Sequence, residues 1–343
     1  MATSVSIIIP TRNEEAFIIN TLDSIMAQDY PLDLLEIVIA DGESDDKTKE
    51  LIERYILDHS NVKLINNPER VVPYALNYAL TVAKGDVIIR LDAHSKYPSN
   101  YVSRLVGELE RLGADNVGGV WKTTPANDGV VATGIALATS HPLGIGNADY
   151  RLENEEVKSV DTVPFGCFPR SVFERIGAFD TDLIRNQDDE FNGRIIKNGG
   201  KIYLIPDVEI VYYARGTVTK MIKMFYQYGL FKPLVNIKLG DPATVRQFVP
   251  PLFVLFLLSI VLLPFLPILF TQLWLGLLGF YVLLTFLVSL KIAIQNKRFT
   301  LIFILPIIFP LIHLSYGWGY LRGFVLLYFF SVKPGGVNFS TSR

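Results

Sequence analysis

Residues 248–270 form a run of 23 positions without a single charge. A helix of that length reaches across a hydrocarbon core, which needs about 20 apolar residues. Backbone surrounded by lipid must satisfy its own hydrogen bonds, so such a run folds as a helix or is not tolerated there. Pro250 and Pro251 mark its start, and Pro264 with Pro267 predict a kink or an early end. Residues 273–290 make a second stretch of this kind, with Lys291 placed to snorkel, and 301 to about 320 a third. Residues 321–331 either extend the third, re-enter or lie at the interface. Lys291, Lys297 and Arg298 make the second connection the basic one, which the positive-inside tendency assigns to the cytoplasmic side. The first connection, around Thr271 and Gln272, then faces outward. His313 and Arg322 are costly groups in such surroundings. They suit a place near a lipid headgroup or diphosphate, although Arg322 could also simply snorkel.

The chain before residue 216 differs in kind. Its apolar residues come in short runs between polar clusters, as in a soluble α/β domain, and 343 residues allow roughly two domains. A net charge of −2 gives no reason to expect nucleic acid. Cys167 is the only cysteine, which excludes an intramolecular disulfide and fits a reducing compartment. The apolar run at 4–10 is too short for a signal-peptide core and lacks a basic leader, so this domain is expected to stay in the cytoplasm.

Short runs rich in β-branched residues predict strands at 5–9 (stopped by Pro10), 35–40, 62–66 and 87–91. Helical periodicity occupies 15–27, 46–58 and 72–83 between them. Four alternations with short links argue a parallel, doubly wound sheet. Ligands of such sheets gather outside the carboxyl ends of the strands. Three polar clusters, at 10–15, 41–46 and 92–95, fall at those ends. Asp92-Ala93-His94 offers a carboxylate and an imidazole, a mixed pair suiting Mn²⁺ better than Ca²⁺, or else a strand-end cap beside a surface histidine. Asp41 either hydrogen-bonds a base or ribose or caps a solvated loop.

Farther on, a helix is expected at 101–112 and a strand at 117–122, where Gly118 and Gly119 permit close backbone approach to a ligand. The Gly-rich stretch 139–147 reads as a mobile loop over a bound ligand, with His141 a loop residue rather than a catalyst. Residues 164–168 suit one wall of a ligand pocket, and Cys167 suits packing. Asp188, Asp189 and Glu190 open a helix running to 196, where the macrodipole favours acids. Consecutive helical positions splay about 100° apart, so the three cannot serve one pocket. Residues 217–239 mix lysines with Met, Phe and Tyr. The stretch suits either an anionic membrane surface or a linker helix packed on the domain.

Four pieces in order resemble the inverting glycosyltransferases of family 2, which have the GT-A fold. They are 6–14 (Ser6 to Glu14), 40–48 (Ala40 to Thr48), Gly85-Asp86 through Asp92-Ala93-His94, and Gly177-Ala178-Phe179-Asp180 followed by 186–194. Leu91-Asp92-Ala93-His94 and the apolar tail look most like the glucosyltransferases of succinoglycan-type exopolysaccharide assembly. The resemblance implies an α/β GT-A (Rossmann-like) nucleotide-sugar-binding domain over 1–215. An amphipathic interfacial segment at 216–247, about three transmembrane helices within 248–331 and a tail at 332–343 would follow. It implies Asp188 as catalytic base. Pro10, Thr11, Asn13, Glu14, Asp41, Arg90 and Asp92 would contact the nucleotide sugar, with Asp92 and His94 as ligands of Mn²⁺ or Mg²⁺. Gly166, Asp189, Glu190 and Gln227 would lie on the acceptor side. Two positions depart from the family pattern: His94 ends the usual Asp-x-Asp, and Gln187-Asp188 replaces Glu-Asp. Gln227-Tyr228-Gly229-Leu230-Phe231 is at most a remote echo of the Gln-x-x-Arg-Trp of processive synthases, so transfer of one sugar is expected. The implied donor is UDP-glucose and the implied acceptor a polyprenyl-linked glycan at a membrane lipid surface. A polyprenyl-phosphate glycosyltransferase is the alternative enzyme, and a nucleotide-sugar-sensing scaffold of an export complex the alternative outside catalysis.

Overall fold

The computed structural model describes residues 3–146, 148–152, 155–242 and 244–331. They form two compact units, one built from the chain up to 122 together with 152–212, the other from 123–151 together with 213 onward. The division is therefore not a linear cut near 215, because 123–151 groups with the apolar helices.

In the first unit, β1 (Val5–Thr11), α1 (Ile18–Met26), β2 (Leu35–Asp41), α2 (Thr48–Asp58), β3 (Val62–Asn66), α3 (Val72–Val82) and β4 (Val87–Arg90) alternate as the sequence predicts. β1 lies parallel between β2 and β4, with Ile7 opposite both Ile37 and Ile89. These isoleucines are fully buried, as are Ile9 and Ile39. Helices cover both faces of such a sheet, which is why its strands read as continuous apolar runs. Pro10 does not end β1, which continues through Thr11 with Pro10 opposite Ala40. The β4 register stops at Ile8 opposite Arg90, so no ladder bond on that side is lost to the missing N–H.

After α4 (Tyr101–Leu112) come β5 (Asn116–Thr124), α5 (Val130–Ala138) and α6 (Pro142–Ile145). They are followed by β6 (Lys158–Ser159), β7 (Cys167–Pro169), α7 (Arg170–Ile176), α8 (Gln187–Lys197) and β8 (Ile202–Tyr213). The sheet has eight strands in the order β3-β2-β1-β4-β7-β5-β8-β6, with β7 antiparallel to both β4 and β5. Gly118 and Gly119 make no room for a ligand: a side chain at Gly118 would strike Val163, and one at Gly119 the Val208 carbonyl. Their small size serves packing within the unit.

The second unit adds α9 (Val218–Leu239), α10 (Val249–Leu258), α11 (Ile268–Gln295) and α12 (Leu301–Phe330). Among the described residues, three helical stretches, Val245–Phe265, Ile268–Gln295 and Leu301–Phe330, are long and apolar enough to cross a membrane. The first, in which α10 is flanked by 3₁₀ turns, ends early at Phe265 as its prolines predict. The first connection is Leu266-Pro267, and Thr271 and Gln272 fall inside α11, because Pro267 can start a helix as its N-cap. The third continues unbroken to Phe330. Residues 142–145 form the helix α6 rather than a loop. His141 accepts the Leu143 N–H at 3.1 Å to start α6, and its ring packs edge-on against Phe309; Asn147 lies outside the described residues.

α9 packs within the second unit, with Met221, Phe225, Leu230, Phe231 and Val235 buried. A side chain at Gly229 would fall on the Tyr316 carbonyl, one at Gly319 on that of Tyr226, and one at Gly323 on that of Leu230. The α9 and α12 backbones therefore touch. His313 Nε2 lies 2.7 Å from the Leu143 carbonyl. A carbonyl only accepts, so Nε2 carries the proton and Nδ1 accepts from the Tyr281 hydroxyl at 2.8 Å. Arg322 donates to the Tyr226 hydroxyl at 2.6 Å.

Candidate active site

Thr11, Asp41 and Asn66 stand in one row across β1, β2 and β3, where these strands end. The loops that follow are tied together. The Asn13 N–H donates to Ser44 Oγ at 2.9 Å, the Asp45 N–H to Asn13 Oδ1 at 3.0 Å and the Glu14 N–H to Thr48 Oγ1 at 2.7 Å. Asn13 and Glu43 hold φ of 55° and 51°, the left-handed region that most side chains avoid. The Asp41 carboxylate accepts both the N–H and the hydroxyl of Ser44, so it shapes this turn. Three buried atoms at the same edge, Thr11 Oγ1, Arg12 Nε and Asn67 Oδ1, have no hydrogen-bond partner among the described residues. Each such atom costs about 1–3 kcal/mol. Their concentration where ligands of parallel sheets collect marks a polar binding site. Arg12 and Asn67 were not singled out from sequence; Asn67 belongs to the site because its N–H donates to the Asp41 carbonyl at 2.8 Å.

The end of β4 holds the charged centre. Arg90 Nη2 lies 2.9 Å from Asp92 Oδ1, and its guanidinium sits 5.3 Å above the Phe165 ring. Burial works against the Arg90 charge, but Asp92 and then Asp188 outweigh it and raise its pKa. One cation thus feels both acids. The Tyr97 hydroxyl clamps the turn by accepting the Asp92 N–H at 2.9 Å and donating to the Asp92 carbonyl at 3.1 Å. Asp188 opens α8 and remains partly accessible. Desolvation, then the charge of Asp189, push its carboxyl above the usual range, and Arg90 opposes them. A carboxylate of raised pKa suits proton abstraction near neutrality.

His94 Nδ1 faces Glu14 Oε1 at 3.3 Å, and Glu14 is 4% exposed. Glu14 was expected to contact the nucleotide; it stands instead behind the imidazole. A carboxylate on one ring nitrogen is the usual support of a histidine that ligates through the other. Among the described residues no three His, Cys, Asp or Glu side chains gather to hold an ion by themselves. Magnesium-type ions commonly take one or two protein carboxylates and complete their shell with substrate phosphates. Asp92 and His94 fit an ion held in that shared way.

Other expected residues fall elsewhere. Gly166 is buried against Asn116 and the Phe168 ring, and its carbonyl accepts the Arg90 N–H at 3.0 Å, so it backs the site and has no face for an acceptor. Glu190 is 2% exposed and pairs with Arg194 at 2.6 Å, one turn on, which removes it from acceptor contact. Asp189 stays partly exposed beside Asp188, to which its N–H donates at 3.0 Å. Gln227 is buried in α9 of the second unit. Cys167 is fully buried, and burial pushes its thiol up, as for a packing residue.

Residues 6–177 match the sequence profile of glycosyl transferase family 2. The chain belongs to this family. The glycosyltransferase is 32% identical over 329 residues to the dolichyl N-acetyl-alpha-D-glucosaminyl phosphate 3-beta-D-2,3-diacetamido-2,3-dideoxy-beta-D-glucuronosyltransferase of Methanococcus voltae, covering 94% of this chain and 97% of the relative. It is 29% identical to the succinoglycan biosynthesis protein of Rhizobium meliloti over 73% of this chain and 75% of that one. Among solved structures, the mannosyltransferase of Pyrobaculum calidifontis in complex with GDP-Man and Mn²⁺ superposes with a TM-score of 0.59 at 21% identity. That likeness spans 93% of this chain and 88% of the other and establishes the GT-A-like fold. The glycosyltransferase is thus a mixed α/β enzyme with three candidate membrane helices.

Proposed function

We propose that the enzyme is an inverting glycosyltransferase that moves one hexose from a nucleoside diphosphate sugar, UDP-glucose first among candidates, to a polyprenyl-linked glycan. The observation that carries this reading is Arg90 paired with Asp92 at 2.9 Å at the carboxyl edge of the sheet, where it also feels the charge of Asp188. The names of the Methanococcus voltae and Rhizobium meliloti relatives, a dolichyl phosphate sugar transferase and a succinoglycan biosynthesis protein, support a lipid-linked acceptor. The three apolar helices support placement at the cytoplasmic membrane, with the α/β unit on the cytoplasmic side.

Thr11, Arg12, Asp41 and Asn67 bind the nucleoside. Asp92 and His94, with Glu14 behind the imidazole, hold a divalent ion such as Mn²⁺ or Mg²⁺. When bound, that ion offsets the charge on the leaving diphosphate. Asp188 takes the proton from the acceptor hydroxyl as its oxygen bonds to the anomeric carbon. The bond from that carbon to the diphosphate breaks with its electron pair leaving on the nucleotide. A single displacement inverts the configuration and needs no covalent nucleophile on the protein. Asp189, beside the base, lies on the acceptor side.

Asp188→Asn tests the assignment. Turnover, read as nucleotide release with a lipid acceptor, should fall by about 10²–10⁴-fold, the range for a lost general base. Nucleotide affinity should hold. Near-normal release in that variant removes Asp188 as the base, whereas no release by the natural protein from any donor favours a nucleotide-sugar-sensing scaffold.

A further inference from the structure

We propose that Trp121 and Tyr212 form the platform on which the terminal sugar of the acceptor stacks, an inference that rests on the transferase reading above. Trp121 stands late in β5 and Tyr212 late in β8. Their rings lie parallel, 4.1 Å between centroids and 9° between planes, and both keep part of their surface exposed. Ile89 of β4 and Val117 of β5 both pair with Cys167 of antiparallel β7, so β4 and β5 run the same way. Trp121 therefore lies at the same edge of the sheet as Asp92. The loop carrying Asp92 and His94 is fastened to β8 by a bridge between Lys96 and Val211, which sets Tyr212 beside it. Trp121 also leans on Phe165 at 5.5 Å between centroids, the ring that carries Arg90 on its face.

The chemistry changes in order along this edge. The unpartnered polar atoms at the ends of β1 and β3 suit a nucleoside, Asp92 and His94 past β4 suit a diphosphate through the divalent ion proposed above, and an aromatic pair follows at β5 and β8. A donor laid from Asp41 toward Asp92 directs its sugar past β4, toward β7 and β5. The incoming hydroxyl must approach the anomeric carbon from the side away from the diphosphate, which is the side of the rings. Pyranose C–H faces are apolar and lie flat on aromatic surface, whereas a bare phosphate gains nothing there. The pair thus selects an acceptor that already bears a sugar over a bare polyprenyl phosphate.

The test uses the intact protein in detergent. The probes are a polyprenyl diphosphate bearing one hexose, the same lipid phosphate without sugar, and UDP. With Trp274 and Trp318 replaced by Phe, Trp121 is the only tryptophan left of three. Its emission should shift with the sugar-bearing lipid and not with the bare one, a readout that needs no turnover. Trp121→Ala should raise KM for the sugar-bearing lipid about tenfold or more, with kcat and UDP affinity within about twofold, and Trp121→Phe should recover most of the loss. A ring that only packs would lower UDP affinity and melting temperature together with KM. No emission shift, an unchanged KM, or a loss spread equally over donor and acceptor overturns the platform. Absence of nucleotide release from every donor and acceptor would instead sink the transferase reading, which the emission titration does not depend on.

Discussion

Thr11→Val should stabilise the protein and weaken its hold on nucleotide at the same time. Thr11 is 4% exposed in β1, and its hydroxyl has no partner among the described residues. Valine keeps the shape, favours a strand and removes the unsatisfied oxygen. Removing one buried orphan gains about 1–2 kcal/mol at the low end of its cost. For a unit of this size that is about 2–8 °C in Tm. If the hydroxyl faces the nucleotide, the variant loses one hydrogen bond of about 0.5–1.5 kcal/mol, or about two- to tenfold in Kd. The two effects oppose each other in a melting experiment. Nucleotide at about 100 times Kd stabilises the natural protein by about 2.7 kcal/mol; the same concentration gives a fivefold weaker variant about 1.8 kcal/mol. The variant's lead in stability should therefore shrink by about 1 kcal/mol, about 2–4 °C in Tm, when UDP is added. Thermal unfolding with and without UDP, together with calorimetric titration, reads both numbers. A lower Tm without ligand, or an unchanged UDP affinity, refutes the reasoning.

Arg90→Gln should move the acid limb of the pH–rate profile to higher pH. The proposed base, Asp188, works ionised; burial and Asp189 raise its pKa, and Arg90 leads the groups that lower it. Without that cation the carboxylate takes up its proton at higher pH, so activity fades earlier on acidification; a limb that stays or moves down contradicts this. Glu14→Gln should weaken Mn²⁺ binding in the presence of UDP by about 10–100-fold, because the imidazole of His94 loses the carboxylate that orients it. Titration calorimetry with Mn²⁺ decides, and equal affinity refutes the supporting role.

Much of the sheet was legible because its signal is local. The runs at 62–66 and 101–112 became β3 and α4 with the boundaries expected. The strand-end position of Asp92 and the helix start at Asp188 follow from the same periodicity. What stayed hidden depends on contacts across the chain. No spacing rule says that Glu14 stands behind His94, that Gly119 yields to Val208, or that Tyr212 stacks on Trp121. Glu190 could have been withdrawn from the acceptor side earlier, since Arg194 follows it at four residues, the distance at which helical ion pairs form. The grouping of 123–151 with the apolar helices stayed hidden because α5, although as apolar as those helices, has only nine residues, too few to read as one of them.

The backbone contact between α9 and α12 has a mechanical consequence. With Gly229, Gly319 and Gly323 leaving no gap, lipid tails cannot wedge between the two helices, and neither can slide without lifting a carbonyl off its seat. α12 spans 30 residues, about 45 Å at the helical rise, against a hydrocarbon thickness of about 30 Å. Were α12 to cross a bilayer, any change in thickness that tilts such a rod would tilt α9 with it, because the two helices share a backbone contact.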